Sequence, residues 1–250
     1  MWVKEFQGND GHVILVHGLG EHSKRYTWLV ELLQPRYGIT LFDLPGHGES
    51  EGKRGHTSFS EIFKILDELV SKHPNCFLVG HSLGGLIAIR YAQLKNKLKG
   101  LIVTSPALEL ANANAVLKTI ASILSALSLN LTFDNRINPN DLSTNPIAVQ
   151  KYVSDPLVHR KISARLAADI FKHSKLALKE AHKVKIPCFV AVGSEDKVTL
   201  ASGARRFFES LEVDDKCLKV YEGSFHELFE DVKNAEKFKQ DLLGWIVSHS

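Results

Sequence analysis

The sequence predicts an α/β protein with a mostly parallel central sheet flanked by helices. Short apolar runs alternate with helix-length segments over most of the 250 residues. This alternation is typical of strand-helix-strand units, which build parallel sheets covered on both faces. The run Cys76-Phe77-Leu78-Val79 leads directly into the turn Gly80-His81-Ser82-Leu83-Gly84, and a helix-like segment follows. The pattern therefore places an unusual serine turn between a strand and a helix.

Six apolar runs have the length of buried strands, and four longer segments have helical spacing. In residues 60–72, for example, Ile62, Leu66 and Leu69 recur at helical intervals, and Pro74 ends the pattern. Residues 2–6 and 12–16 predict a hairpin at the sheet edge, because Gly and Asn between them favour a tight turn. The predicted strands are 12–16, 39–42, 76–79, 101–104, 188–192 and 218–221, and the helices are 60–72, 83–94, 200–211 and 235–247.

The alternation stops between residues 106 and 165, where no convincing strand is found. A structureless loop of this length is uncommon in a compact domain, so the segment predicts a helical cap inserted over the sheet. The predicted division is a core of residues 1–105 and 166–250 with a cap of residues 106–165. Within the cap, residues 116–131 carry an apolar stripe that either lines a substrate pocket or packs on the core. The stripe includes Leu117, Ile120, Leu124 and Leu127.

Composition and charge narrow the class of protein. The chain has 44% hydrophobic residues, 24% charged residues and a net charge of +3, values that favour an ordinary globular protein over a nucleic-acid-binding one. Three widely spaced cysteines fit free thiols, and the polar turn after the first six residues does not resemble a signal peptide, so we expect a cytoplasmic protein. No pair of histidines has a recognisable metal-binding spacing. We expect neither a metal nor a cofactor.

The serine turn predicts a nucleophile at Ser82. A serine hydroxyl needs a base, and reactive groups in a parallel sheet gather at the carboxyl ends of its strands. His226 follows the last predicted strand, and Asp196 follows the strand before it, with the adjacent Glu195 as an alternative acid. The order serine, acid, histidine is the one used in α/β-hydrolase sheets. We therefore predict Ser82, Asp196 and His226 as a catalytic triad.

An oxyanion formed at the attacked carbonyl needs N–H donors aimed at it. One donor is expected from the residue after the nucleophile, Leu83. The other is expected from the loop after the first buried strand, where His17-Gly18-Leu19-Gly20 places glycines around Leu19. The sequence thus predicts an oxyanion hole made of the Leu19 and Leu83 amides.

These motifs together resemble the monoacylglycerol lipases of the α/β-hydrolase superfamily, and the resemblance covers nearly the whole chain. The segments HGLGEHSKRY at 17–26 and SDPL at 154–157 are more particular to this branch than the serine turn. One departure is Phe229, three residues after the predicted catalytic histidine, where mammalian relatives have a histidine. The matching segments are 17–26, 43–52, 80–85, 154–157, 193–196 and 221–226.

The resemblance implies a serine esterase that releases a fatty acid from monoacylglycerols or similar single-chain lipid esters through an acyl-enzyme. It also implies a cap that admits the acyl chain from a membrane or micelle. Glu21 and Arg25 match positions near the glycerol end of such a pocket, where they would either contact the alcohol group or brace the loop as an ion pair. The alternatives on the same fold are a broad carboxylesterase, a lysophospholipase, a thioesterase, an aminopeptidase or a non-catalytic binding protein.

Overall fold

The computed structural model describes residues 1–95, 97–111 and 131–250. The described strands are β1 (Val3–Phe6), β2 (His12–Val16), β3 (Gly38–Phe42), β4 (Phe77–His81), β5 (Gly100–Thr104), β6 (Thr132–Asp134), β7 (Lys161–Ser163), β8 (Cys188–Gly193) and β9 (Lys216–Tyr221). Seven of these strands form one sheet in the order β1-β3-β2-β4-β5-β8-β9, and β6 pairs with β7 in a separate ribbon. Every neighbouring pair in the large sheet is parallel except β1 with β3, which confirms the mostly parallel sheet.

Helices cover both faces of the sheet. The described α-helices are α1 (Thr27–Leu33), α2 (Phe59–Lys72), α3 (Leu83–Leu94), α4 (Pro146–Ser154), α5 (Ala164–Lys179), α6 (Ala201–Glu209) and α7 (Ala235–Ser248). Because side chains of a strand alternate between faces, Ile14 and Val16 pack in one buried cluster with α2, α3, α5 and α6, whereas Val13 and Leu15 pack in another with α1 and α7.

The predicted hairpin between residues 2–6 and 12–16 is wrong. β1 pairs antiparallel with β3, from Val3 opposite Phe42 to Phe6 opposite Ile39, and β2 lies between β3 and β4. The physical reason is burial. β2 is almost wholly buried and needs a neighbour on each side, while the more exposed β1 suits the edge of the sheet.

The expectation that residues 106–165 contain no strand is also wrong. β6 and β7 form a short antiparallel ribbon with Thr132 opposite Ser163, and three-residue strands are too short to show an alternating pattern. The described part of this segment does contain a helix, α4, capped by the Asn145 side chain. Residues 116–130 of the predicted cap helix, with Leu117, Ile120, Leu124 and Leu127, lie outside the described residues. The division into core and cap stays a prediction, and α5 crosses its boundary at residue 165.

No helix within residues 1–95, 97–111 and 131–250 is both long enough and apolar enough to cross a membrane.

Candidate active site

Ser82 occupies a strained turn between β4 and α3. Its φ is +54° and its ψ is −114°, a conformation that non-glycine residues rarely adopt. The Ser82 N–H donates to the Thr104 carbonyl at 3.0 Å, and the Ser82 carbonyl accepts from the N–H groups of Leu86 and Ala107. These bonds hold the strained backbone in place. The side chain follows directly on the carboxyl end of β4.

Two glycines of the turn are required by close packing of backbone. A Cβ atom on Gly84 would lie 2.0 Å from the Val16 carbonyl oxygen, and one on Gly80 would lie 2.3 Å from the Gly84 carbonyl oxygen. Since no real Cβ sits that close to a carbonyl, only glycine lets α3 begin so near β2. The pattern Gly-x-Ser-x-Gly is therefore a consequence of helix and strand packing.

Asp196 and His226 meet at the carboxyl ends of β8 and β9. His226 Nδ1 lies 2.8 Å from Asp196 Oδ2, and both side chains are buried. The other carboxylate oxygen accepts from the backbone N–H groups of Val198 and Thr199 at 2.8 and 2.9 Å. An acceptor at this distance assigns the proton to Nδ1 and leaves Nε2 free to accept. The structure brings Asp196, and not the exposed Glu195, to the histidine.

The electrostatics of this pair favour a charged ring at His226. Burial opposes the charge, but the Asp196 carboxylate and its hydrogen bond, with help from Glu227 and Glu21, outweigh burial and raise the pKa of His226. In the same pair, burial acts to raise the pKa of Asp196, yet His226 and the two backbone donors lower it overall. The imidazolium that general-base catalysis creates is thus stabilised at this position.

The loop after β2 lies against the serine. A Cβ atom on Gly18 would be 3.3 Å from Ser82 Cβ, so the Gly18 backbone lies close to the Ser82 side chain. Leu83 is the first residue of α3, where N–H groups have no partner inside the helix. Within the described part of the chain, the N–H groups of Leu19 and Leu83 donate no hydrogen bond. Both predicted oxyanion donors are therefore free of protein acceptors, one in the loop that approaches Ser82 and one directly after it in the chain.

Glu21 and Arg25 form the ion pair that was one of the two expected alternatives. Glu227, which the sequence did not indicate, completes a buried cluster with them. The Arg25 guanidinium donates to both Glu227 oxygens at 2.7 and 2.8 Å and also to Glu21. Glu21 further accepts from the Gly18 N–H at 2.6 Å and from the Tyr26 hydroxyl at 2.7 Å. The cluster thereby ties the loop of Gly18 to the loop of the histidine. The one sequence signal for Glu227 is its place directly after His226.

Phe229 fills an aromatic cluster beside the histidines. Its ring stacks on Trp28 with centroids 5.4 Å apart and meets His81 edge-on at 5.5 Å, and only 4% of the residue is exposed. Burial and the neighbouring His226 lower the pKa of His81 to about 3. Phe229 therefore presents an apolar wall where a histidine would offer a polar atom.

Comparisons with known proteins identify the family of this chain. A family model described as serine aminopeptidase, S33, matches residues 7–233. The chain is 32% identical to human monoglyceride lipase, covering 88% of this chain and 76% of the relative. A crystal structure of Paleococcus ferrophilus monoacylglycerol lipase superimposes with a TM-score of 0.97 at 43% identity, covering 100% of this chain and 99% of that one.

The chain belongs to the monoacylglycerol lipase family of α/β-hydrolases. The fold and the family predicted from the sequence are both confirmed. One relative is much longer than this chain. The chain spans 26% of the length of an uncharacterized abhydrolase domain-containing protein of Dictyostelium discoideum, to which it is 32% identical. The region that matches this family member is thus part of a longer chain in that relative.

Proposed function

We propose that this protein hydrolyses monoacylglycerols, or similar single-chain lipid esters, through an acyl-enzyme on Ser82. The observation that carries the proposal is the 2.8 Å bond between His226 Nδ1 and Asp196 Oδ2, at the sheet edge where the strained Ser82 turn lies. Support for the substrate class comes from the human and Paleococcus ferrophilus relatives, whose names are monoglyceride lipase and monoacylglycerol lipase.

In the proposed first half-reaction, Ser82 Oγ attacks the ester carbonyl and its proton passes to His226 Nε2. Asp196 stabilises the imidazolium, and the amides of Leu19 and Leu83 donate to the oxyanion. His226 then gives its proton to the leaving glycerol oxygen, and the acyl group stays on Ser82. The chemistry needs a base whose charged form is stabilised, and the Asp196 carboxylate, which raises the pKa of His226, provides that stabilisation.

In the second half-reaction, water takes the place of the alcohol. His226 accepts a proton from the water, which attacks the acyl-enzyme and forms a second oxyanion at the same two amides. Collapse of this intermediate breaks the bond to Ser82 Oγ, which regains its proton from His226. The products are glycerol and a fatty acid.

For Glu21 and Arg25 we propose the bracing alternative. All three partners of Glu21 are protein groups, since its carboxylate accepts from Gly18, Tyr26 and Arg25. An acceptor so fully used has little capacity left for a substrate hydroxyl. The ion pair then acts on catalysis through the position of the Gly18 backbone.

A substrate panel tests the proposed activity. The panel compares monoacylglycerols of graded chain length, p-nitrophenyl esters, lysophospholipids, acyl thioesters and aminoacyl amides. We expect the purified protein to prefer monoacylglycerols and a fluorophosphonate probe to label Ser82. Ser82→Ala should abolish both, whereas the control Ser154→Ala, at an exposed serine of α4, should change neither. Preferred cleavage of amides, or labelling of another serine, would contradict the proposal.

We also propose that the predicted cap helix of residues 116–131 contacts membranes transiently, because its apolar stripe resembles the apolar face of interfacial helices. Co-sedimentation with phosphatidylcholine vesicles should weaken when Leu124 and Leu127 are changed to Asn. Val247→Asn, on the exposed side of α7, serves as the matched control. Equal sedimentation of all three proteins would rule out contact through this helix.

A further inference from the structure

The hydroxyl of Thr199 lies among the groups that connect Asp196 and His226. Thr199 Oγ1 is 3.0 Å from Asp196 Oδ2, 3.0 Å from the Ser105 carbonyl oxygen and 3.4 Å from His226 Nδ1. The residue is only 3% exposed, so water has little access to compete for these partners. Thr199 therefore belongs to the hydrogen-bond network of the proposed acid and base.

The donors and acceptors around Thr199 limit the hydrogen bonds that its hydroxyl can make. Asp196 Oδ2 already accepts from His226 Nδ1, and a carboxylate oxygen can accept a second donor. The Thr199 hydroxyl has one hydrogen, and the two atoms at 3.0 Å are both acceptors. It therefore donates to the Ser105 carbonyl or to Asp196. In the second case it neutralises part of the charge that His226 experiences.

Ser105 is built to hold Thr199 and His226 at once. It follows β5 with a φ of +43°, which is rare for a residue other than glycine. Its N–H donates to the Ala191 carbonyl at 2.8 Å, and its hydroxyl donates to the His226 carbonyl at 2.8 Å. With the N–H and side chain fixed in this way, its carbonyl faces Thr199. One turn thus supports the histidine backbone and the threonine side chain.

We propose that Thr199 is a positioning residue whose hydroxyl sets the orientation of the Asp196–His226 pair and the basicity of the histidine. The inference rests on the proposed acyl-enzyme mechanism of Ser82. Without the hydroxyl, Asp196 Oδ2 accepts one hydrogen bond fewer. The full negative charge of the carboxylate then acts on His226. The imidazolium is then overstabilised and the ring is held less firmly, so proton transfer to the leaving group becomes slower.

Thr199→Val and Thr199→Ser separate the hydroxyl from the shape of the side chain. We expect Thr199→Val to lower kcat about tenfold with KM nearly unchanged, because a hydrogen bond to a charged group is lost. The acidic limb of kcat/KM against pH should move to higher pH. Thr199→Ser keeps the hydroxyl and should restore both kcat and the acidic limb. The other groups around His226, which are Glu21, Arg25, His81, Glu227 and Asp196, are the same in all variants.

Two further measurements keep the outcome decisive. Rates are expressed per folded molecule, from far-ultraviolet circular dichroism. Thr199→Cys puts a weaker donor, the thiol, at the position of the hydroxyl, and its kcat should lie between those of Thr199→Val and Thr199→Ser. The proposed role of Thr199 would be overturned if Thr199→Val kept the wild-type kcat and acidic limb. It would also be overturned if Thr199→Ser lost as much kcat as Thr199→Val. If a fluorophosphonate does not label Ser82 in the wild-type protein, the proposed function fails. If Ser82 is labelled and Thr199→Val behaves as wild type, only the role of Thr199 fails.

Discussion

At Asp196, a single carboxylate is held from two sides. Oδ1 accepts two backbone N–H groups, from Val198 and Thr199, and Oδ2 faces His226. The backbone bonds fix the plane of the carboxylate, so its second oxygen can orient the ring and determine which nitrogen carries the proton. Geometry and charge at this residue are therefore linked.

Asp196→Asn tests this link. The amide can keep the geometry, but its NH₂ group favours the wrong tautomer of the ring, so we expect kcat to fall about 10⁴-fold. Because the Asp196 charge raises the pKa of His226, the acidic limb of the residual activity should move to lower pH. The pH profile of ester hydrolysis measures both effects. The control is Glu195→Gln at the exposed neighbour, and a loss of similar size there would contradict the assignment.

The pH dependence of the wild-type protein follows from the same environment. His226 has to be neutral to accept the serine proton, and its pKa is raised from the ordinary value of 6.5. We therefore expect kcat/KM to fall as the pH decreases through a midpoint above 6.5. Measurement between pH 5 and 9 with a soluble ester locates the midpoint. A midpoint below 6 would show that burial, and not Asp196, dominates at the ring.

Residues that follow strands could be predicted from the sequence, whereas residues that meet only in space were missed. Ser82, Asp196 and His226 could be predicted because each closely follows a buried apolar run. The contact between Arg25 and Glu227 joins residues 202 positions apart, and no local pattern marks it. The contacts of Thr199 were missed for the same reason, since they involve Ser105, which follows a different strand.

At the scale of elements, the cluster of Glu21, Arg25 and Glu227 joins three segments. Arg25 connects the loop after β2 with the loop after β9, and its guanidinium also lies 4.8 Å from the ring of Tyr152 in α4. Burial alone would raise the pKa of Glu21. The charges of Arg25, His81 and His17 and the hydrogen bond from Tyr26 outweigh burial, so the pKa of Glu21 is lowered overall. The three segments are thus held around one buried cation with two anions.

Arg25→Met should be strongly destabilising, because it leaves two buried carboxylates without their cation. Breaking a buried ion pair from one side costs about 3–5 kcal/mol in the free energy of unfolding. The control Arg36→Met breaks an exposed ion pair with Asp10 and should cost about 1 kcal/mol or less. Urea unfolding at pH 7 compares the two. Equal losses would mean that burial of the cluster has no energetic role.

The junction of β2 and α3 is packed too closely for a side chain at Gly84. A Cβ on Gly84 meets backbone oxygens of Val16 and His17 at 2.0 and 2.6 Å, so Gly84→Ala has to push helix and strand apart. We expect a loss of about 3 kcal/mol or more in the free energy of unfolding, in the range of severe overpacking, together with a loss of ester hydrolysis. A Cβ added to Gly244 in α7 would have no atom within 4 Å. The control Gly244→Ala should therefore gain about 1 kcal/mol from helix propensity, and urea unfolding compares the two variants.

Helices and strands whose apolar residues repeat at a clear interval could be predicted from the sequence. The helix predicted at residues 83–94 has the same bounds in the structure, because Leu83 follows the turn and the apolar pattern ends at Leu94. Partners of strands were harder to predict. The hairpin failed because a turn sequence between two strands does not reveal that β3 occupies the position between them. The ribbon of β6 and β7 is too short for any pattern.

At the scale of the molecule, the parallel sheet explains why distant residues form one site. β4, β5, β8 and β9 are neighbours that run in the same direction, so Ser82, Ser105, Asp196 and His226 all follow carboxyl ends at one edge. The end of β5 and the turn after it contact several groups of the site, through the Thr104 carbonyl to Ser82 and through Ser105 to His226 and Thr199. The site is therefore a property of strand order as much as of its side chains.

Acid should destabilise the molecule as a whole through its paired carboxylates. The pKa values of Glu21, Asp155 and Asp196 are lowered on folding, and for each group burial is outweighed by cationic partners or hydrogen bonds. A carboxylate whose pKa is lower in the folded than in the unfolded state stabilises the fold at pH values above its pKa in the unfolded state. This stability is lost as the pH falls through its pKa in the folded state. The pKa of Glu230 is raised, so this one carboxylate has the opposite effect on stability and is outnumbered by the three whose pKa values are lowered.

We therefore expect the free energy of unfolding to decrease steadily as the pH is lowered below about 4.5, the region where unfolded carboxyl groups take up protons. Urea unfolding followed by tryptophan fluorescence at pH 7, 5, 4 and 3 measures the slope. Glu21→Gln should start from a lower stability and show a shallower slope, because one depressed carboxylate no longer titrates. The control is Glu209→Gln, at an exposed position at the end of α6, whose slope should match the wild type. A wild-type stability that stays constant or rises between pH 4.5 and 3 would mean that the buried ion pairs do not govern the acid response.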